Sequence, residues 1–490
     1  MTQPVVWATE IQLPIASTQD KRADLDRLKE TLKEDFDLSL NTLRQLPYII
    51  RKKQFKIGLV FARTFKTKRL LKVSYEGPLF ALAIDLGSTN MVATLWDLSS
   101  AQMQQQHSIK NPQLSYGADI LSRVQLAMSG SFEQLHKVLL DGINTLIREI
   151  AEKAAILPED ILFCSICGNT VMSHFLLGLP VEYIPVEPYI PVAHRFGTFT
   201  ARELELGLFP EAPVYIFPNA GSYVGGDIIA GILATGIFHS ESPQVLLDIG
   251  TNGEVVIGCK DWIFVGSGAA GPALEAGVLK AGMAAVEGAI YRIDIKDAKF
   301  YFKTIGNKPP VGICGSGVID LIAELFRVGW IDAYGRFTEK APCKELKGER
   351  VIVVTEATGS MITVSEHEIE NFLRSKAGMF TTLYVMATDL GLNFSDIERF
   401  YIAGAMGSRV RLDKAKLLGM LPDVPEEKVH AVGNSALKGA EALLLDASLM
   451  HKAEALLDLI TYKEMNADPR FMSHFRSAMV IPHAEPSVLK

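Results

Sequence analysis

Asp85-Leu86-Gly87-Ser88-Thr89-Asn90 and Asp248-Ile249-Gly250-Thr251-Asn252-Gly253 are near-copies of one phrase, set roughly a third of the chain apart. Each joins two apolar runs. Leu79 to Ile84 and Met91 to Trp96 flank the first, and Val245 to Leu247 and Val255 to Ile257 flank the second. Apolar runs joined by a short glycine-bearing turn predict a β-hairpin. Backbone N–H groups and hydroxyls exposed in such a turn can wrap phosphate oxygens, because glycine lets the main chain approach closely. Gly87, Ser88, Thr89 and Asn90 are therefore candidate phosphate ligands, as are Gly250, Thr251, Asn252 and Gly253. The aspartate ending each strand, Asp85 or Asp248, is placed to hold a magnesium ion through water, since hard cations prefer oxygen ligands and give up water reluctantly. One Asp-x-Gly-Ser/Thr turn carries little information, but two in register point to a duplicated fold clamping one nucleotide.

A third element fits the pair. Arg399 to Ala403 reads as an apolar strand running into Gly404-Ala405-Met406-Gly407-Ser408, a turn where a side chain would obstruct a flat ligand. The order of strand-turn-strand, strand-turn-strand and strand-Gly-Ala-x-Gly resembles the superfamily shared by sugar kinases, heat-shock chaperone ATPases and actin. The resemblance implies two phosphate loops, with Gly404, Ala405 and Gly407 as the adenosine loop. The expected fold class is α/β, a duplicated ribonuclease H-like, actin-like ATPase fold of two lobes behind a small α+β module.

A chain of 490 residues exceeds what one hydrophobic core usually supports, so two or three domains are expected. The net charge of -7 argues against a general nucleic-acid binder, and no nucleic-acid partner is expected. No basic, apolar, small-residue leader opens the sequence, so the cytoplasm is the expected compartment. The longest apolar stretch, Val214 to Phe238, contains Asn219, Asp227 and several glycines and reads as buried α/β core rather than a membrane span. Five cysteines, an odd number in a long chain, do not make a disulfide framework.

Residues 1–76 differ from the rest. Leu25, Leu28, Leu32 and Phe36 share one face of an expected helix over Asp20 to Phe36, and Ser39 to Leu46 predicts a second helix stopped by Pro47. Lys56 to Ala62 and Lys68 to Tyr75 read as strands. Nine Lys or Arg and no acid lie between Arg51 and Lys72, as a solvated face or as a docking surface for an acidic partner. Beyond Glu76-Gly77-Pro78, residues 77–242 are expected to form the first lobe, with a helix over Ser131 to Lys153 and a strand over Ile161 to Ile166. Residues 243–490 form the expected second lobe, with a strand over Val351 to Thr355, a helix entered by the capping-box spacing of Ser365 and Glu368, and a last helix over Arg470 to Met479.

Several further phrases resemble one branch of that superfamily, the reductive activators of corrinoid proteins. They are Asn111-Pro112-Gln113 with Gly117-Ala118-Asp119, Gly168-Asn169-Thr170 through Gly178, and Pro218-Asn219-Ala220-Gly221-Ser222-Tyr223-Val224-Gly225-Gly226-Asp227. Gly271-Pro272-Ala273, Gly312-Ile313-Cys314-Gly315-Ser316-Gly317 and Gly433-Asn434-Ser435-Ala436 complete the set. The resemblance implies an activator that uses ATP and Mg2+ to return an inactive Co(II) corrinoid to Co(I), with Gly315, Ser316 and Gly317 among the nucleotide contacts. Its partners would be a corrinoid protein or corrinoid-dependent methyltransferase and an electron donor protein, with room for a homodimer. Asp85 and Asp248 would organise magnesium and the attacking water, with Asp227 and Glu254 as further candidates for placing that water. Such activators commonly carry a ferredoxin-like domain with clustered cysteines. Here the first cysteine is Cys164, so an iron–sulfur cluster is expected only on a missing domain or a separate donor.

Cys164 and Cys167 have redox-motif spacing, but in a strand their thiols fall on opposite faces, which favours structural cysteines. Cys314 and His174 likewise read as core residues. Three rival functions follow from the same sequence. They are a small-molecule kinase, an activator with a cluster shared across a dimer through Cys164, Cys167 or Cys314, and a filament-forming or chaperone ATPase.

Overall fold

The hairpins that follow Asp85 and Asp248 sit at equivalent places in two sheets that share the order of five strands. In the computed structural model, which describes residues 3–117, 119–250, 253–268, 278–283, 285–357, 360–404 and 410–490, the chain divides into two compact units. The first comprises Met1–Ala234 with Ala436–Asp458, and the second comprises Thr235–Ser435 with Leu459–Lys490.

The first unit opens with a four-stranded sheet of β1 (Val6–Gln12), β2 (Asp37–Leu38), β3 (Lys56–Arg63) and β4 (Lys68–Val73), in the order β1-β3-β4-β2. Strand β1 has no counterpart in the sequence reading; it pairs antiparallel along the whole of β3. The helices Asp24–Leu32 and Leu40–Lys52 bury Leu28, Leu46 and Ile50 against Leu59, Phe61 and Leu70. The first helix is shorter than expected because Lys33 takes the left-handed conformation, φ 55°, and its N–H caps the Lys29 carbonyl. The second runs through Pro47 instead of stopping there. Leu46 and Ile50, on either side of the proline, are both fully buried, and packing of that face outweighs the hydrogen bond proline cannot donate.

Five of the nine basic residues are ion-paired, four of them within this module. Arg51 pairs with Asp24, Lys53 with Glu76, Lys56 with Glu10, Lys68 with Glu34 and Arg69 with Glu211. Arg63 lies over the Trp7 ring, and Lys72 over Tyr75 and Phe209. That distribution is a solvated, internally paired face.

The larger sheet of this unit contains β5 (Phe80–Leu86), β6 (Asn90–Asp97), β7 (Gln102–Lys110), β8 (Ile161–Cys167), β9 (Gly197–Thr200) and β10 (Pro213–Ile216), in the order β7-β6-β5-β8-β10-β9. Strands β5, β6 and β7 form an antiparallel meander, and β8 and β10 continue parallel from β5. The helix Phe132–Lys153 buries Leu135, Leu139, Ile143 and Ile150 with the sheet residues Leu82 and Ile84. The helices Ser435–Leu445 and Leu449–Leu459 also fold with this unit, although the sequence reading places them in the second lobe. Ser165 Oγ donates to the Ala440 carbonyl at 2.8 Å, and a side chain at Gly439 would lie 2.0 Å from the Ala230 oxygen.

The second unit repeats the pattern with β11 (Gln244–Ile249), β12 (Gly253–Gly258) and β13 (Ile263–Gly268). Two small sheets intervene, of β14 (Ala289–Lys296), β15 (Lys299–Thr304) and β16 (Gly312–Ile313), and of β17 (Cys343–Leu346), β18 (Glu349–Ala357) and β19 (Ser360–Ser365). Then β20 (Arg399–Ala403), β21 (Val429–Gly433) and β22 (Ile460–Glu464) complete the main sheet, in the order β21-β20-β11-β12-β13-β22. Strands β11 and β12 are antiparallel, as are β12 and β13, while β20 and β21 continue parallel from β11. Strands β13-β12-β11-β20-β21 thus match β7-β6-β5-β8-β10 of the first unit in order and direction, while the sixth strands, β22 and β9, add at opposite edges. The helix Glu366–Asp389 is entered by the expected capping box between Ser365 and Glu368. Among the described residues, no helix is long and apolar enough to cross a membrane.

Candidate nucleotide site

In the first unit, Asp85 lies near the end of β5 and Asn90 opens β6, so Gly87-Ser88-Thr89 is the turn. Only glycine fits at 87, where a Cβ would lie 2.3 Å from the Asn90 carbonyl oxygen. The turn is held from outside by Asn111, whose Nδ2 donates to the Gly87 carbonyl at 2.9 Å and whose N–H donates to the Thr89 carbonyl at 2.9 Å. Asn111 opens a phrase quoted above without a role, and the structure supplies one.

A second layer packs behind this turn. Strand β8 ends at Cys167, and Asn169 caps the helix Thr170–Leu176 by accepting from the Met172 N–H at 2.9 Å. Gly225 rests on Asn169, where a Cβ would be 2.3 Å from its Cα. The next helix, Gly226–Thr235, begins with Asp227 in its first turn, and the Asp227 N–H reaches the Gly168 carbonyl at 3.3 Å. Asn219 Oδ1 accepts from the Gly226 N–H at 3.0 Å, while its buried Nδ2 has no hydrogen-bond partner among the described residues. An orphaned buried donor of this kind calls for a specific explanation, and a ligand oxygen is one.

This packing brings Asp227 beside Asp85. Burial and the neighbouring Asp85 carboxylate push the Asp227 carboxyl up to about 7. Two carboxylates held together in this way fit a cation, which would remove the repulsion between them.

The pair has a measurable consequence. A carboxyl raised in the folded state binds its proton more tightly than in the unfolded chain, so the stability it supports is present at low pH. That stability is lost as pH rises from the ordinary carboxylate range through about 7. Asp227→Asn is therefore expected to raise the thermal midpoint of the metal-free protein at pH 8 and leave it unchanged near pH 4. Equal midpoints at both pH values would remove the strain assigned to the pair.

In the second unit, Asp248 faces Glu254 across the β11–β12 hairpin and Ala403 across the β11–β20 pair. Glu254 is buried and Asp248 half-buried. Gly404 follows β20 with φ +93°, and a Cβ there would lie 2.2 Å from the Ile249 oxygen, so Gly404 packs directly on the strand that ends in Asp248 and Ile249. Gly250 and Gly253 flank residues 251–252 of the second candidate phosphate turn. Thr251 and Asn252 lie outside the described residues, as do Ala405, Gly407 and Gly271-Pro272-Ala273.

Gly315, Ser316 and Gly317 open the buried helix Gly315–Arg327. Their local contacts are structural. A Cβ on Gly317 would lie 2.3 Å from the Ile290 oxygen, and Ser316 Oγ donates to the Tyr291 carbonyl at 3.1 Å. The same helix anchors the chain just beyond the glycine turn of β20. Arg411 Nε donates to Asp320 at 2.9 Å and Nη1 to Asp294 at 2.6 Å, and Lys414 pairs with Glu324. No local pattern marks these partners, which come from distant parts of the sequence.

Cys164, Cys167, Cys259 and Cys314 are buried, and burial pushes the Cys164 thiol well up. Cys164, Cys167 and Cys314 are thus not surface ligands, which removes the residues on which the shared-cluster rival depends. His174 is buried and satisfied, with Nδ1 donating to the Thr170 carbonyl at 2.7 Å and Nε2 accepting from the Val192 N–H at 3.1 Å.

Comparison with known proteins places this geometry in a family. The RACo linker region matches residues 1–76, the RACo middle region residues 80–240, and the C-terminal domain of RACo, described as the ASKHA domain, residues 242–490. The chain is 31% identical over 417 residues to the corrinoid activation enzyme RamQ of Eubacterium limosum, covering 82% of this chain and 70% of that protein. It is 23% identical over 419 residues to a [Co(II) methylated amine-specific corrinoid protein] reductase of Methanosarcina barkeri, covering 78% of this chain and 73% of the relative. A solved structure of a reductive activator for corrinoid, iron–sulfur protein superposes with a TM-score of 0.95 at 34% identity, over 100% of this chain and 81% of that one. With every region from the first strand to the last helix accounted for in this way, the chain belongs to the RACo family of reductive activators of corrinoid proteins.

Proposed function

We propose that this chain binds and hydrolyses ATP with Mg2+ and uses the cycle to return an inactive Co(II) corrinoid protein, or a corrinoid-dependent methyltransferase, to Co(I). The observation that carries the reading is the repeated corner, an aspartate near the end of a strand followed by a glycine turn, on two sheets that share the order of five strands. Asp85 and Asp248 would hold magnesium through water. Ser88, Thr89, Thr251 and Asn252 would take phosphate oxygens, with Gly404, Ala405 and Gly407 against the adenosine. Magnesium would supply charge neutralisation at the phosphates and polarise the attacking water. Asp227, beside Asp85, is the better placed of the two further candidates to position that water, and Glu254 is the other.

The redox step moves one electron from a donor protein to cobalt, Co(II) becoming Co(I). ATP contributes only if its nucleotide states differ in affinity for the partner states, for example by separating the complex after electron transfer. The kinase reading differs in where the phosphoryl group goes. Phosphate release should be stimulated by a Co(II) corrinoid protein and should yield free phosphate. Transfer of the phosphoryl group to a sugar or carboxylic acid, with no response to the corrinoid protein, would support the kinase instead.

A further inference from the structure

The segment Leu177 to Phe196 crosses the surface of the first unit without regular secondary structure. Loops longer than about 15 residues of this kind are uncommon in compact domains and are usually functional or disordered. This one is pinned by buried Val181, Ile184 and Pro191, yet it turns apolar side chains outward. Tyr183 is 64% exposed, Val186 49%, Ile190 61% and Val192 54%. Isolated exposed hydrophobics are ordinary, whereas four in one loop form a patch of the kind that marks an interaction site. From Leu177 to Phe196 the charged side chains are Glu182, Glu187 and Arg195, and Arg195 is paired with Glu454 and Asp458.

The same loop is bonded to the segment that leads to Asp227. The Val192 N–H donates to His174 Nε2, which fixes the neutral tautomer that donates from Nδ1 to the Thr170 carbonyl. Thr170 Oγ1 then donates to the Gly221 carbonyl at 2.5 Å. Ser222 Oγ donates to the Tyr189 carbonyl, and the Tyr189 and Tyr223 rings pack with centroids 6.3 Å apart. The Asn219 N–H donates to the His194 carbonyl at 2.8 Å. A body pressing on the loop therefore bears on residues 219–223, a few positions before Asp227.

We infer that this loop is the docking surface for the corrinoid protein, and that its bonds to residues 219–223 couple partner binding to the nucleotide state. The inference rests on the activator reading above. Charge selects the occupant in part. An apolar face bordered by Glu182 and Glu187, with its one cation Arg195 already paired, suits a partner surface with an apolar centre bordered by Lys or Arg. It disfavours a second copy of the same face, which would bring the Glu182 and Glu187 carboxylates of two chains together. Coupling selects the rest. Of the two proteins the reaction needs, the corrinoid protein is the one whose affinity the nucleotide must change, and such coupling needs an element that both sites bias.

The test uses the full chain with Val186→Lys and Ile190→Lys combined. Affinity for a purified Co(II) corrinoid protein is measured with ADP and with a non-hydrolysable ATP analogue. The double variant should bind the corrinoid protein about 30-fold more weakly, the scale of losing an interface hot spot, with nucleotide affinity unchanged in the partner's absence. Ser222→Ala leaves the surface intact and should keep binding while narrowing the ratio of affinities between the two nucleotides. If the parent chain binds the corrinoid protein and the double variant binds equally well, the docking inference fails and the activator reading stands. If the parent chain binds no corrinoid protein in any nucleotide state, the activator reading fails and this inference with it. Loss of self-association or of donor binding alone, with corrinoid binding intact, would give the patch to a different occupant and overturn the inference.

Discussion

Asp248→Asn is expected to lower ATP hydrolysis by about 10²–10³-fold, the scale for removing one group that stabilises transition-state charge, while leaving the fold in place. Asp248 is half-buried in β11, paired in register with Glu254 and Ala403, so an amide of the same size keeps the local packing and removes only the charge that would face the proposed magnesium. Asp85→Asn should give a comparable loss with a second signature. It removes the neighbouring charge that raises Asp227, so the Asp227 carboxyl should titrate below about 7 in that variant. The measurements are phosphate release with saturating nucleotide and a thermal midpoint for each variant. Undiminished turnover in Asp248→Asn would remove that residue from the site.

The largest stability effect is expected far from the nucleotide turns. Lys376, on the helix Glu366–Asp389, is fully buried, and its Nζ donates to the carbonyls of Ala478, Val480 and Pro482 at 2.6, 2.7 and 2.7 Å. The three acceptors lie where the chain leaves the helix Phe471–Ala478, so one ammonium satisfies three carbonyls at that exit. Burial pulls the lysine down to about 7. Lys376→Met fills the space and leaves three carbonyls without this donor, and at about 1–3 kcal/mol for each buried acceptor left unsatisfied the loss is about 3–5 kcal/mol where water reaches part of them. For a unit of this size that corresponds to a midpoint lower by about 6–20 °C, read by calorimetry or circular dichroism. A shift within experimental error would show that the carbonyls find other donors in the variant.

Much of the duplicated architecture was legible because its determinants are local. Apolar runs on either side of Gly87 and Gly250 specify hairpins, and the side-chain period and turn chemistry need no distant partner. The capping box at Ser365 and Glu368 is legible for the same reason. What escaped depends on packing between distant segments. Strand β1, Val6–Gln12, has no clean polar-apolar alternation and becomes a strand by pairing with β3. The helix through Pro47 exists because Leu46 and Ile50 bury together. The site shows the same division. Asp85 and Asp248 could be named from their turns, but the approach of Asp227 to Asp85 requires Gly225 to settle on Asn169. Asn111, Asn219, Arg411 and Lys376 act on partners that no sequence spacing reveals.

The most direct test of the account follows cobalt itself. The chain is mixed anaerobically with a Co(II) corrinoid protein and an artificial electron donor, and the visible spectrum is recorded with and without Mg2+ and ATP. The account predicts that the Co(I) spectrum develops only when ATP and the chain are both present, and that Asp248→Asn abolishes its appearance. Co(I) formation at the same rate and extent without ATP, or none in any nucleotide state while the donor remains reduced, would contradict it.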